Sequence, residues 1–393
     1  MTKALKHVRV LDFSMGVAGP HAGMLCAQHG AQVTKIEPLK GDWGRLLGRQ
    51  HGDLSAFSAI YNRGKKSLAV DLKDADAQRM LLEMAGKADV IIEAFRPGVM
   101  KRFGLDYDAV RAVNTAVIYV SVTGFGQTGP MSGMPATDVV LQAFSGFMNL
   151  NKDREGQPQR LDMILIDVIA GLYGFQAISA ALLERAQGDK VGKHVDCSLL
   201  KCAIAFQAPK LVENVVEGGT QAMYVPLGTL PTRDGHVAVS VMHDHHFVAL
   251  CNALGRTDLA TSELYDTRAR RIEREPEVMN LLRAEFGRRS TDEVVELLTR
   301  ADVLHARVQS YQDLLTHEQT RVADVVTWTR QDGVGIELPI PNIPGAPETS
   351  HDRDCQSPHI GEHSVALMKA WGVPCATADG LVARGVVGVH APT

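Results

Sequence analysis

The sequence predicts an α/β protein, with a large domain built on a mainly parallel, Rossmann-like sheet and a smaller α+β domain. Three observations predict it. Between residues 8 and 130, short apolar runs alternate with helical segments, the pattern of parallel strands joined by crossover helices. From Met223 the texture changes to short alternating strands around Asp234-Gly235 and then to charged helical segments. The chain has 393 residues, 45% of them hydrophobic and 22% charged, enough for two or three domains and a sizeable core. The expected boundaries are 1–217 for the first part of the large domain, 218–325 for the small one, and 326–393 for a connector and return segment.

Taken in order, VRVLDFS reads as a strand, GVAGPHAGMLCAQHG as a glycine-rich turn entering a helix, with Pro20 suited to its first position, and AQVTKIE as a second strand ending at Glu37. A dinucleotide site with Glu37 on a ribose would require G-x-G-x-x-G, and the loop here is G-x-x-G-P. A dehydrogenase is therefore disfavoured. The stretch YNRGKKSLAVDLK gives a basic turn and a strand. KADVIIEAFRPGVMKRFGL gives a strand, a turn at Arg96-Pro97-Gly98 and a short basic helix. AVIYVSVTGFGQTGP gives a buried strand and a glycine loop. Lys65, Lys66, Lys73, Arg96, Lys101 and Arg102 recur near strand ends and suggest a phosphate-bearing ligand. Further on, the Gly218-Gly219 pair breaks a helix, LPIPNIPGAP reads as an extended proline-rich connector, and GEHSVALMKAWG as a closing helix.

The formal charge of -4 makes no case for nucleic acid, and the N-terminal stretch lacks a signal-peptide apolar region, so a cytoplasmic location is expected. The longest nearly apolar run, Val168 to Leu183, falls short of the roughly 20 residues that a bilayer requires and reads as a core helix. Six cysteines form no C-x-x-C pair, so neither a zinc site nor a disulfide framework is indicated. His243, His245 and His246 have no other ligand type at fixed spacing, and no metal is expected.

Asp167 stands in LDMILIDVIAGLYGFQAISAALLERAQG, a lone carboxylate in apolar surroundings just before a helix predicted over 168–185. Two readings stay open. It is an N-cap satisfying first-turn N–H groups, or a partly desolvated carboxylate serving as nucleophile or acid/base.

The stretches VLDFSMGVAGP, VTKIEP with GDWGR, NRGKKSLAVDLK, EAFRPGVMKRFGL, VTGFGQTGP, DVVLQAFSG, LIDVIAG, RDGHVAV and IGEHS resemble, in order and over almost the whole chain, the class III coenzyme A transferases of the CaiB/BaiF type. This family also includes α-methylacyl-CoA racemases. The resemblance implies a large domain made from both chain ends, a smaller middle domain and an interlocked homodimer. It places the catalytic aspartate on Asp167 and coenzyme A contacts on Val17, Ala18, Leu72, Lys73, Phe95, Arg96 and Arg102, with Asp138 where some relatives carry a second acid. Pro38 and Ala94 depart from a CoA-binding arginine and a common asparagine. The tetraglycine loop of the formyl-transferring branch is missing, and the DGHVAV region is most similar to transferases acting on short dicarboxylates.

The activity implied is transfer of CoA from an acyl-CoA to a carboxylic acid through an aspartyl anhydride and an aspartyl-CoA thioester, with Asp167 already ionised near neutral pH. CoA enters as substrate, and neither nucleic acid nor membrane is an expected partner. N–H groups of the Gly16–Pro20 loop or of the loop around Gly124 and Gly126 are candidate oxyanion donors. The racemase alternative needs a histidine before Asp138, where this sequence has Thr137. A non-catalytic CoA-binding protein is the second alternative.

Overall fold

A computed structural model describes residues 3–153, 155–189, 191–219, 222–347 and 351–390. The chain forms two compact units, one from residues 1–208 and 324–393 and one from 209–323. The division falls at the head of the helix Ala208–Glu217, not at its Gly218-Gly219 end.

The first unit begins β1 (Arg9–Asp12), α1 (Ala18–Gln28), β2 (Gln32–Glu37), α2 (Ala56–Tyr61), β3 (Lys66–Val70), α3 (Ala75–Ala85), β4 (Val90–Glu93) and α4 (Val99–Arg102). It continues α5 (Tyr107–Val113), β5 (Ile118–Thr123), α6 (Asp138–Phe144), α7 (Leu165–Ala186), β6 (Lys193–Ser198) and α8 (Leu199–Phe206). The second unit carries β7 (Leu227–Pro231), β8 (His236–Ser240), α9 (Asp244–Ala253), α10 (Glu275–Gly287), α11 (Thr291–Arg300) and β9 (His305–Arg307). The first unit resumes with β10 (Val326–Arg330), β11 (Glu337–Pro341), α12 (Ser364–Ala370), α13 (Cys375–Ala383) and β12 (Val387–Gly388).

The main sheet has the order β12-β3-β2-β1-β4-β5-β6, parallel throughout except for β12 at one edge. Successive residues of each strand face opposite sides of the sheet. Leu11, Ile36, Leu68 and Ile91 pack with Leu81, Met84, Met368, Trp371 and Leu381 on one face. Val10, Val33, Val90, Ile92 and Val120 pack with Cys26, Ile169, Ala170 and Ile178 on the other. Burial on both faces is why these strands read as continuous apolar runs.

In the second unit, β7, β8 and β9 form an antiparallel sheet whose Val237 and Val239 pack with Phe247, Leu250, Leu282, Phe286 and Leu298. Arg271 is buried there, donating to the Val225 and Tyr265 carbonyls and to Asp244.

Three local expectations need correction. The proline-rich stretch is no simple connector, because β11 pairs antiparallel with β10 in a two-stranded ribbon. Pro339 and Pro341 are tolerated because each strand of a two-stranded ribbon has an open edge, where a missing N–H costs no ladder bond. Pro20 is the third residue of α1 rather than the first, since Val17 is the N-cap. Finally, α7 starts three residues earlier than predicted and spans 22 residues. That is long enough for a membrane span, yet Ile166, Ile169, Ala170 and Ile178 are buried in the core and Gly171 and Gly174 pack against α1.

Candidate active site

The chain order of the sheet reverses between β1 and β4, and in open α/β sheets the crevice at such a reversal, beyond the carboxyl ends of the strands, is where ligands bind. The loop leaving β1 holds Gly16 and Val17 and runs into Ala18, the first residue of α1, and the loop leaving β4 holds Phe95 and Arg96. The topology therefore brings two of the CoA segments implied by the resemblance to opposite walls of one crevice.

Buried charges fix the first wall. Asp42 accepts from the N–H groups of Gly16 and Gly44, each at 2.8 Å, and from Lys35 Nζ at 2.8 Å. Gly44 lies against the Gly16 backbone, so that a Cβ on Gly44 would stand 2.7 Å from the Gly16 carbonyl oxygen. Trp43, half-exposed, lies over Gly16 on its other side. Glu37 receives both Nε and Nη2 of Arg45, at 2.8 and 2.7 Å, and the hydroxyl of Ser67 at 2.6 Å. Thus Glu37, the residue that would reach a ribose in a dinucleotide site, is buried in an ion pair. Lys65 also differs from its reading as an exposed basic residue. It is buried, donates to Asp12 Oδ2 at 2.7 Å, and burial brings it down to about 8. Lys66 opens β3 and so lies at the amino end of its strand, away from the crevice.

The network also narrows the choice of oxyanion donors. The Gly16 N–H is taken by Asp42, Pro20 has none, and the His21 N–H donates to the Val17 carbonyl. Among the described residues, Val17, Ala18 and Gly19 are left as donors at the start of α1.

The second centre is the start of α7. A helix preceding a parallel strand begins at the sheet's carboxyl edge, so α1 and α7 start on the same side. They pack closely: a Cβ on Gly171 would fall 2.5 Å from His21 Nδ1, and one on Gly174 would fall 3.3 Å from Ala22 Cβ. His21 Nδ1 lies 3.1 Å from the Val168 carbonyl, and burial brings this imidazole down to about 4, so it is neutral and Nδ1–H donates.

Asp167 is not the N-cap. Ile164 occupies that position, and Asp167 is the third residue of the helix. The cap comes from another helix: Asp138, the first residue of α6, accepts the N–H groups of Ile166 at 2.6 Å and Asp167 at 3.2 Å. Its other oxygen accepts from Gln142 at 2.6 Å. With Asp138 doing the capping, neither a hydrogen bond nor an ion pair engages the Asp167 carboxylate among the described residues. Burial, and then the nearby charge of Asp138, push Asp167 up to about 7. It is therefore about half protonated near neutral pH rather than fully ionised. Part of its surface stays open to solvent.

The remaining basic residues lie on the same edge without touching one another. Lys73 and Arg96 are exposed, as is Arg102 in the last turn of α4. Leu72 is half-buried against the core, and its carbonyl accepts from Gln78. Phe95 donates its N–H to Glu93 Oε2 at 2.8 Å. Burial pushes Glu93 up to about 7, opposed by bonds from Ser121 and Phe95. The sequence reading missed Glu93, and also Tyr61, whose ring lies 5.2 Å from His21 and whose hydroxyl is raised by burial and by the Asp167 charge. Glu93 was at least visible as the acid ending an apolar strand. Tyr61 had no signal. Among the described residues, no His, Cys, Asp and Glu cluster could hold a metal ion.

Residues 5–364 match the model of CoA-transferase family III. The chain is 30% identical to a succinate–glutarate CoA-transferase of Agrobacterium fabrum, over 93% of this chain and 94% of that one. It is 30% identical to an acetyl-CoA:oxalate CoA-transferase of Acetobacter aceti, over 93% and 95%. The crystal structure of a CaiB/BaiF family protein from Brucella suis superposes with a TM-score of 0.83 at 26% identity, covering 94% of this chain and all of that one. A doubly wound sheet of this order and similarity of this extent lead to one assignment: the chain belongs to CoA-transferase family III and is an enzyme that transfers coenzyme A.

Proposed function

We propose that the enzyme moves CoA from an acyl-CoA to a short dicarboxylic acid, with Asp167 as covalent nucleophile. The observation that carries this reading is the Asp167 carboxylate itself: largely desolvated yet reachable from solvent, without a hydrogen-bond partner among the described residues, and excused from capping by Asp138. The acceptor class is supported by relatives named succinate–glutarate and succinyl-CoA:mesaconate CoA-transferases.

In the first step a carboxylate oxygen of Asp167 attacks the thioester carbonyl, the C–S bond breaks, and a mixed anhydride and CoA thiolate result. The thiolate then attacks the aspartyl carbonyl, giving an aspartyl-CoA thioester and releasing the donor acid. The acceptor carboxylate attacks that thioester, and the freed thiolate takes the new acyl group, restoring Asp167. Energy of the thioester is kept in covalent form throughout. Each acylation also removes a negative charge that burial and Asp138 disfavour, so the ground state is raised relative to the intermediates. Lys73, Arg96 and Arg102 supply charge-assisted contacts for the CoA phosphates, the backbone at buried Val17 and Ala18 lines the loop beside them, and the partly buried Leu72 and Phe95 supply apolar surroundings. The homodimer implied by the resemblance finds contact area in Leu211, Val212, Val215 and Val216, exposed on the helix Ala208–Glu217.

A panel of free acids with succinyl-CoA, followed by mass spectrometry of the CoA products, tests the acceptor class. Transfer confined to monocarboxylates would reject it. Borohydride added during turnover should reduce the aspartyl thioester to an alcohol on the peptide containing Asp167.

Two variants probe the electrostatics. Because only the ionised form attacks, kcat should rise with pH and reach half its plateau near about 7. Asp138→Asn can still accept the Ile166 N–H but lacks the repelling charge, so the midpoint should move to lower pH; an unmoved midpoint would separate Asp138 from Asp167. Arg102→Ala should raise KM for acyl-CoA several-fold, more at higher salt, with kcat little changed. An unaltered KM would make Arg102 an ordinary surface charge.

A further inference from the structure

The end of β6 and the start of α8 bring two thiols together. Cys197 and Cys202 are both buried, with Sγ atoms 3.7 Å apart, and Cys197 Sγ also lies 3.6 Å from the Ala170 carbonyl in α7. Both cysteines line a cavity of about 300 Å³, together with Tyr173, Ala177, Asp196 and Lys201, which gives small solutes a route to the pair. No other two thiols lie within hydrogen-bonding reach among the described residues.

We propose that Cys197 and Cys202 are a two-electron redox modification site, closed to a disulfide by a small hydroperoxide. The Cys197 S–H is within reach of the Ala170 carbonyl, which accepts it and disfavours a thiolate there, while either thiol can donate across the Cys197–Cys202 contact. Cys202 is thus the attacking sulfur and Cys197 the resolving one. The Cys202 thiolate attacks one peroxide oxygen, the O–O bond breaks, and protonation of the departing oxygen releases water from hydrogen peroxide, or the alcohol from an organic hydroperoxide, leaving a sulfenic acid. The Cys197 sulfur then attacks the Cys202 sulfur and expels hydroxide, which leaves as water with the Cys197 proton. In sum the two thiols lose two electrons and two protons, and the peroxide is reduced.

Closing the sulfurs to a bond of about 2.05 Å turns Cys197 away from Ala170, one turn beyond Asp167. The disulfide should therefore slow CoA transfer several-fold. This consequence rests on the assignment of Asp167, whereas the covalent chemistry does not.

The test uses the whole chain treated with hydrogen peroxide, alkylated and digested with trypsin without reductant. Cleavage after Lys193, Lys201 and Lys210 places the thiols in separate peptides, 194–201 and 202–210. The expected result is a linked pair at their summed mass less two hydrogens, lost on reduction. In Cys197→Ser, the linked pair should be replaced by a dimedone adduct on Cys202. Oxidation of exposed Cys375 without the linked pair would overturn the proposal. Transfer should recover on reduction, and Cys197→Ser should resist the slowing. Full activity with the disulfide formed would overturn the coupling to α7.

Discussion

Asp167→Asn is expected to lower CoA transfer by at least about three orders of magnitude, the scale seen when a covalent nucleophile is removed. The fold should survive. Asp138 supplies the cap, so the variant removes no helix-capping bond. Stability should even improve at neutral and higher pH. A carboxyl held at about 7 in the fold, against about 3.9 in an unfolded chain, keeps its proton longer when folded. Its contribution to stability is undiminished below about 4 and declines as pH rises to about 7, where the folded state must carry the buried charge. Thermal melts at pH 5 and pH 8 beside single-turnover assays check both halves. Retained turnover would remove Asp167 from the chemistry, and a lower melting temperature at pH 8 would restore a structural role.

Arg45→Ala should destabilise the first unit by about 3–5 kcal/mol, the cost of leaving a buried charge without its partner. Glu37 would keep the Ser67 hydroxyl and the Asp42 N–H but lose both guanidinium bonds, and the Pro358 carbonyl would lose the Arg45 donor. Replacing both partners, Glu37→Gln with Arg45→Met, should recover much of the loss, because the desolvated anion goes with the cation. Chemical denaturation of the three proteins decides the matter. Similar stability of the single variant and the wild type would mean that water reaches Glu37 and that the network does not shape the loop at Gly16.

The parallel sheet was legible because its strands are buried on both faces and its crossovers are helical, so periodicity carried the information. Asp167 was legible as an anomaly, a charge in an apolar stretch, but its position within the helix was not. The bonds that settle it come from Asp138, 28 and 29 residues upstream of the N–H groups it caps, and a cap offered from another helix leaves no local signature. Lys35, Lys65 and Arg45 were opaque for a related reason. Composition marks basic residues as solvated, and only the fold reveals that Asp42, Asp12 and Glu37 meet them inside. The Pro339 and Pro341 strand escaped notice because proline argues against a strand unless an open edge is known to exist.

The antiparallel edge strand β12 sets an order for biosynthesis. Val387 pairs with Val70, Trp371 donates to Thr34, and the Gly361 N–H donates to Ser67, so late residues complete the apolar face and cover the edge of strands made near the beginning. A nascent chain translated through residue 323 already holds all of the 209–323 unit, whereas β3 still presents an unpaired edge. The unit encoded second is thus able to fold first, and the earlier strands must wait with exposed hydrogen-bonding groups for their last partners.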